Sequence, residues 1–241
     1  MSSGKQFEIE ARKQRFLDVA KTLLLEEGYE AVSIARVAEI TGFSRGTVYQ
    51  LFSTREDLVT ALGMTCRVRL LESVARGAAF DGRPREKLVA IGVSIAAYTE
   101  AHPHDQRILK MIDAEAILER VNEEAQQQMQ EYDVRIFRVL HEIAEKAVSN
   151  GDLVLRPGLT TEGLCFTFWA MMDGAFAASY GGAPLEEIGI PNPLDEVIRS
   201  GHCLMDGYGW RPLSTEWDYE RTARDAQCIF ACETAPVGRS V

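Results

Sequence analysis

Residues 28–58, GYEAVSIARVAEITGFSRGTVYQLFSTREDL, decide the fold. They read as two short helices joined by a glycine turn and followed by a capped third. Ser33 stands before Ile34, Val37 and Ala38, as an N-cap stands before the buried side of a two-turn helix. Thr41-Gly42-Phe43 breaks that helix, and Gly42 supplies the positive φ that a tight helix-to-helix turn needs. Ser44 caps the next helix, over residues 44–51. Ser53-Thr54-Arg55-Glu56 fits a capping box that opens a longer helix from residue 54. Upstream, Phe16, Val19, Ala20, Leu23 and Leu24 recur at helical spacing and place a first helix over 7–27. Gly28 then ends it in a left-handed conformation.

Successive helical residues step about 100° around the axis, so with Val48 facing the core, Ser44, Leu51 and Phe52 fall within about 60° of it. Gly46, Thr47, Tyr49 and Gln50 then point outward, and Arg45 sits on the flank with the reach to join them. That face has no large apolar side chain except a tyrosine with its hydroxyl. A major groove admits such a helix, where arginine pairs with guanine and glutamine with adenine. Arg45 and Gln50 are the candidate base readers, with Thr47 in support and Gly46 allowing close approach. Ser33, Arg36, Ser44, Tyr49, Thr54 and Arg55 are the candidate backbone contacts. The same pattern also fits a helix pair in an ordinary helical protein, with Ser44 and Ser53 acting as caps alone.

Residues 7–62 resemble the N-terminal domain of the TetR family of transcriptional regulators. The resemblance rests on Gly28-Tyr29, Ser33-Ile34, Val37-Ala38, Gly42-Phe43-Ser44, Gly46-Thr47-Val48-Tyr49, Phe52-Ser53 and Glu56-Asp57-Leu58. Arg55 stands where the family usually has lysine and keeps the charge. Thr41 stands where alanine is common before the glycine. Leu51 occupies a position often filled by a DNA-contacting histidine or tyrosine, so it is not a contact candidate here.

The chain has 241 residues, enough for a sizeable core in one or two domains. Its net charge of −10 is unusual for a DNA binder, but its distribution is informative. Residues 1–62 hold 8 basic and 9 acidic residues, and the remainder holds 18 and 27, so the acidity belongs to the C-terminal part. An acidic body weakens non-specific DNA binding. No stretch is long and apolar enough to span a bilayer and no signal-peptide pattern opens the chain, so a cytoplasmic protein without membrane contact is expected. The five cysteines, Cys66, Cys165, Cys203, Cys228 and Cys232, form no CxxC pair and are expected as buried free thiols. His102 and His104 flank Pro103, and His202 adjoins Cys203, but no full ligand set at known spacing appears. Neither a metal nor a cofactor is expected.

Beyond residue 62 helical periods dominate. Helices are expected over 54–79, from Pro84 to residue 100, over 104–117, 119–149 and 160–181, from Pro193 to residue 208, and over 215–232. The class is therefore all-α. An N-terminal three-helix DNA-binding domain spans 1–53, and a helical effector-binding and dimerisation domain spans 54–241, with the helix 54–79 linking the two. Ala170, Gly174 and Ala178 form a small-residue stripe, and Leu194, Ile198, Gly201 and Met205 repeat like a packing seam. Both stripes fit burial within one bundle. The family resemblance implies instead that they join two copies in a homodimer. It also implies a small-molecule effector in the C-terminal domain, for which the bulky residues Tyr98, Met111, Phe137, Trp169, Met172 and Phe176 are candidates. The expected function is a sequence-specific transcriptional regulator, a repressor released from duplex DNA by that effector. The alternatives are a regulator under redox or partner control, and an enzyme with a helical body. No nucleophile elbow, phosphate loop, HExxH or paired-carboxylate site supports the last.

Overall fold

In a computed structural model the chain is described at residues 3–114, 117–121, 123–180 and 184–234. Every regular element among these residues is helical. The helices are α1 (Ser3–Glu27), α2 (Ile34–Thr41), α3 (Arg45–Tyr49), α4 (Arg55–Ala78), α5 (Pro84–Ala101), α6 (Asp105–Ala114), α7 (Glu123–Asn150), α8 (Thr161–Tyr180), α9 (Pro193–Gly207) and α10 (Tyr219–Thr234). Short 3-10 turns at Tyr29–Ala31 and Ile117–Arg120 complete them.

The chain gathers into two compact units. One is Met1–Val68 with Pro103–Tyr132, and the other is Arg69–His102 with Asp133–Val241. Helices α4 and α7 contribute residues to both. Contact therefore groups α6 with α1, α2 and α3.

The first unit closes on Phe16 and Leu24 of α1, Val37 of α2, Val48 of α3, Leu58, Leu62 and Cys66 of α4, and Ile108 and Ile112 of α6. Gly63 lets α6 come close, since a Cβ there would lie 2.6 Å from Ile112 Cδ1. In the second unit α5 packs along α10 and α8 along α9. Its core includes Val74, Ile91, Ile143, Leu164, Phe176, Leu194, Met205 and Trp210. Arg85 of α5 is fully buried there. Its guanidinium donates to the carbonyls of Trp210, Pro212 and His202, lies 2.7 Å from the Asp206 carboxylate and covers the Tyr219 ring at 4.7 Å. Burial pushes the Tyr219 phenol up to about 12.

Several local expectations are corrected. Gly28 has a positive φ of 87° but an extended ψ of 177°, so it is not a left-handed helical cap. The box at the start of α4 is shifted by one residue. Asp57 accepts from the backbone N–H of Ser53 and Thr54, and its own N–H donates to Thr54 Oγ1. Glu56 is drawn off because it accepts the Tyr29 hydroxyl at 2.6 Å. Helix α10 starts at Tyr219 rather than residue 215, with Asp218 accepting from the Arg221 N–H as its cap. Glu216 instead receives the Leu213 N–H and holds the preceding turn. Cys66 and Cys165 are buried free thiols, but Cys203 and Cys228 are exposed ones. Each stands off its helix's buried face, which Gly201 and Met205 form in α9, and Ala226 and Phe230 in α10. The Cys232 side chain lies outside the described residues.

Candidate nucleic-acid interface

Helix α3 is only five residues long, so its position is set by its caps and its one buried anchor. Gly42 takes the left-handed conformation, φ 75° and ψ 15°, and turns the chain out of α2. Ser44 Oγ accepts the Thr47 N–H at 3.1 Å and bonds the Thr47 hydroxyl at 2.8 Å. Val48 is fully buried, and Phe52 just beyond is 4 % exposed. Arg45, Gly46, Tyr49 and Gln50 are all exposed. No side chain of Arg45, Tyr49 or Gln50 makes a hydrogen bond or ion pair with a described residue. A Cβ at Gly46 would meet only Ser44 Oγ, at 3.7 Å, so nothing within the chain crowds this position.

The flanking candidates are placed differently. Ser33 caps α2 by accepting the Arg36 N–H at 3.2 Å. Arg36 gives both of its terminal nitrogens to Glu27, at 2.7 and 2.8 Å, and that guanidinium holds the Glu27 carboxyl below the usual carboxylate range. Thr54 is exposed, and its oxygen accepts from Asp57. Arg55 lies over the Tyr29 ring at 4.1 Å, donates to Glu30 at 2.9 Å and comes within 3.5 Å of Glu56. The Tyr29 hydroxyl first, then a backbone N–H and Arg55, hold the Glu56 carboxyl below its ordinary value against the effect of burial. Arg36 and Arg55 therefore present charge already opposed by carboxylates.

Two cations that the sequence reading did not single out stand against Phe43, the residue before the α3 cap. The guanidiniums of Arg12 and Arg15, three residues apart on α1, lie 5.6 and 5.7 Å from the centre of the Phe43 ring. Phe16 meets the same ring edge-on at 5.3 Å. The signal available was an arginine pair at i and i+3 beside a buried phenylalanine, which is too common to mark a site.

The effector candidates are not gathered at one place. Tyr98 and Phe176 are buried in the second unit, with Phe137 and Met172 packed against its core. Met111 packs on the core of the first unit. Trp169 is 51 % exposed and faces outward beside Phe166, their rings 5.8 Å apart. None of the six lines the open groove of about 860 Å³ between the start of α5 and the end of α7. Of the dimer candidates, Ala170 and Gly174 are exposed and Ala178 half-buried on α8. On α9, Leu194, Gly201 and Met205 are buried within their own chain, and Ile198 packs against the same core.

A family model described as "Bacterial regulatory proteins, tetR family" matches residues 16–62, the segment that builds this interface. The HTH-type transcriptional repressor AcnR of Corynebacterium glutamicum is 28 % identical over 165 residues, 63 % of this chain and 86 % of that one. The AcnR of Corynebacterium diphtheriae is 37 % identical over 68 residues, 28 % of this chain and 36 % of that one. Residues 16–62 therefore carry the DNA-binding segment that marks regulators of the tetR family.

Solved structures agree at the level of fold. A regulator of the TetR/AcrR family from Thermobifida fusca YX-ER1 superposes with a TM-score of 0.60 at 23 % identity, over 82 % of this chain and 98 % of that one. FadR of Bacillus subtilis, solved with stearoyl-CoA, gives 0.58 at 16 % identity, over 77 % and 95 %. A putative transcriptional regulator of Saccharomonospora viridis, solved with choline, gives 0.62 at 18 % identity, over 82 % and 96 %. No helix among the described residues is long and apolar enough to cross a membrane.

Proposed function

We propose that this protein is a TetR-family repressor that binds a palindromic operator as a homodimer and leaves it when a small molecule binds the second unit. The observation that carries the reading is the outward face of α3. There Arg45, Tyr49 and Gln50 have no partner among the described residues, and Gly46 leaves the backbone open. Arg45 and Gln50 read base edges in the major groove, Thr47 supports them, and Tyr49 holds a phosphate. Ser33, Ser44 and Thr54 offer hydroxyls to the backbone. Arg36 and Arg55 reach it only by giving up Glu27 and Glu30. The functional boundary falls near residue 53, with the DNA domain before it and the effector and dimer domain after it. The site of action is the cytoplasm, where the operator is.

A single short helix reads few bases, so a twofold partner doubles the site and sets recognition helices about 34–36 Å apart, or a multiple of that. The outward face of α8 suits such a contact. Phe166 and Trp169 are 58 % and 51 % exposed, and a Cβ at Gly174 would meet nothing within 4 Å. The effector region is assigned to the buried Tyr98 and Phe176 and the half-buried Phe137 and Met172 of the second unit. Two proteins of like fold hold stearoyl-CoA and choline, which supports a bound organic molecule without naming it. Helix α4 takes part in both units, and a ligand that favours one placement of α4 also biases the DNA domain. A coupling of about 1–3 kcal/mol changes operator affinity roughly 5- to 150-fold.

The test is a mobility shift with the DNA flanking the protein's own gene. Arg45→Ala should cost about 1–3 kcal/mol of operator binding and relax sequence preference. Unchanged binding by Arg45→Ala rejects these roles. A stable monomer in sedimentation at micromolar concentration rejects the dimer. An effector that binds but leaves operator affinity unchanged rejects the switch.

A further inference from the structure

We propose that Arg12 and Arg15 of α1 form a phosphate clamp on duplex DNA beside the recognition helix, an inference that rests on the DNA-binding reading above. Both guanidiniums converge on one ring, Phe43, at 5.6 and 5.7 Å. The ring cannot drift, because Phe16 is fully buried and meets it edge-on at 5.3 Å. Phe43 is also the residue directly before Ser44, whose side chain caps α3. The two cations are thus fixed at the turn that leads into the groove-reading face, though they belong to a different helix.

Like Arg45, and unlike Arg36 and Arg55, the pair lacks a counter-charge among the described residues. Arg36 is bonded twice by Glu27, Arg55 is bonded by Glu30, and Lys13 on the same helix lies near Glu10. Arg12 and Arg15 have no ion pair with any described residue. Two like charges held over one ring repel each other, and the ring's negative face offsets only part of that. An anion placed between or above them removes the repulsion. Arginine suits a phosphate because its planar fork gives two parallel donors. The chain is acidic overall, with a net charge of −10, so an unopposed cation pair at this turn also fixes which face meets the duplex.

Phosphate contacts release counterions, so each one makes log K steeper in log salt by about 0.9. The probe is a duplex selected from a random-sequence pool by the wild-type protein, titrated between 50 and 200 mM salt. The Arg12→Gln/Arg15→Gln double variant should flatten the slope by about 1.8 per bound chain, so the wild type loses about 12-fold more affinity over that range than the variant does. Arg12→Lys/Arg15→Lys should keep the slope, and Arg36→Gln should barely change it because Glu27 already opposes that charge. Matching melting temperatures show that the variants are folded. A double glutamine variant with the wild-type slope overturns the clamp while leaving the DNA reading intact. Weaker binding at an unchanged slope overturns it too, since Arg12 and Arg15 would then only pack on Phe43. A wild-type protein that enriches no duplex takes down both readings.

Discussion

The two units hold their irregular segments by different means. In the first, α2, α3 and the start of α4 are each fastened by a hydroxyl three residues from the N–H it accepts, from Ser33, Ser44 and Thr54. In the second, the connection from α9 to α10 is fastened by Arg85, whose carbonyl partners lie 117 to 127 residues further along the chain. A local cap costs little order to form and leaves the outward face of a short helix free for a ligand. A buried cation is costly to desolvate and needs acceptors for its donors, which Arg85 finds at both terminal nitrogens but not at Nε. The arginines around α3, namely Arg12, Arg15, Arg36, Arg45 and Arg55, stay at least partly accessible, whereas Arg85 is enclosed as an internal staple.

Arg85→Ala is the strongest way to break this contrast. It removes the donor to three carbonyls and leaves Asp206 with Ser214 alone. Breaking a buried pair on one side costs about 3–5 kcal/mol, which urea unfolding of the second unit would show. A loss under about 1 kcal/mol would mean that α5–α10 packing holds the connection and Arg85 merely fills space.

The next effect in size comes from a backbone approach. A Cβ at Gly77 would lie 2.4 Å from Ile91 Cα, so α4 and α5 cross there with no room for a methyl group. Gly77→Ala should destabilise the second unit by about 1–3 kcal/mol, because backbone rather than a flexible side chain must move. Gly174→Ala on the open face of α8 is the control. It should leave the monomer's melting temperature nearly unchanged, whatever it does to self-association.

Thr54→Ala and Ser53→Ala sharpen the comparison at smaller scale. The structure gives the cap to Thr54 with Asp57, so Thr54→Ala should cost about 1 kcal/mol by denaturant midpoint and Ser53→Ala close to nothing. The reverse order would restore the box read from Ser53 and Glu56. These residues also show what the sequence could disclose. The caps at Ser33 and Ser44 and the turn at Gly42 were legible because each device acts within three residues of itself. Glu56 misled because its partner, Tyr29, is 27 positions away. The α9 seam was legible only in part. Its period marked a packing face correctly, but only the fold shows that Phe168 of the same chain covers Gly201, a Cβ there lying 3.7 Å from Phe168 Cε1. Arg85 and the Gly77–Ile91 crossing leave no local pattern at all.

The smallest effect concerns pH and the same buried network. Burial first, and then the neighbouring Arg85 charge, hold the His202 imidazole below its ordinary value, with Asp206 only partly opposing them. Its ring packs on Tyr219 at 5.1 Å, so a proton would have to enter between the staple and an aromatic face. For Asp206, burial alone would raise the carboxyl, but bonds from Ser214 and Arg85 outweigh it and keep the carboxyl below its usual range. Above about pH 6.5 His202 is neutral in both the folded and the unfolded chain and adds no pH dependence. As pH falls through that value the unfolded chain takes up a proton that the folded chain refuses, so stability declines until the lower folded pKa is reached. Asp206 acts in the same direction but in a more acid window, its contribution being lost only as pH falls through its depressed folded value. The urea midpoint should therefore drop between pH 7.5 and 5.5, and His202→Phe, which keeps a ring against Tyr219, should shrink that drop. An equal drop in both proteins would place the sensitivity elsewhere and leave Arg85 as a staple without a pH-dependent neighbour.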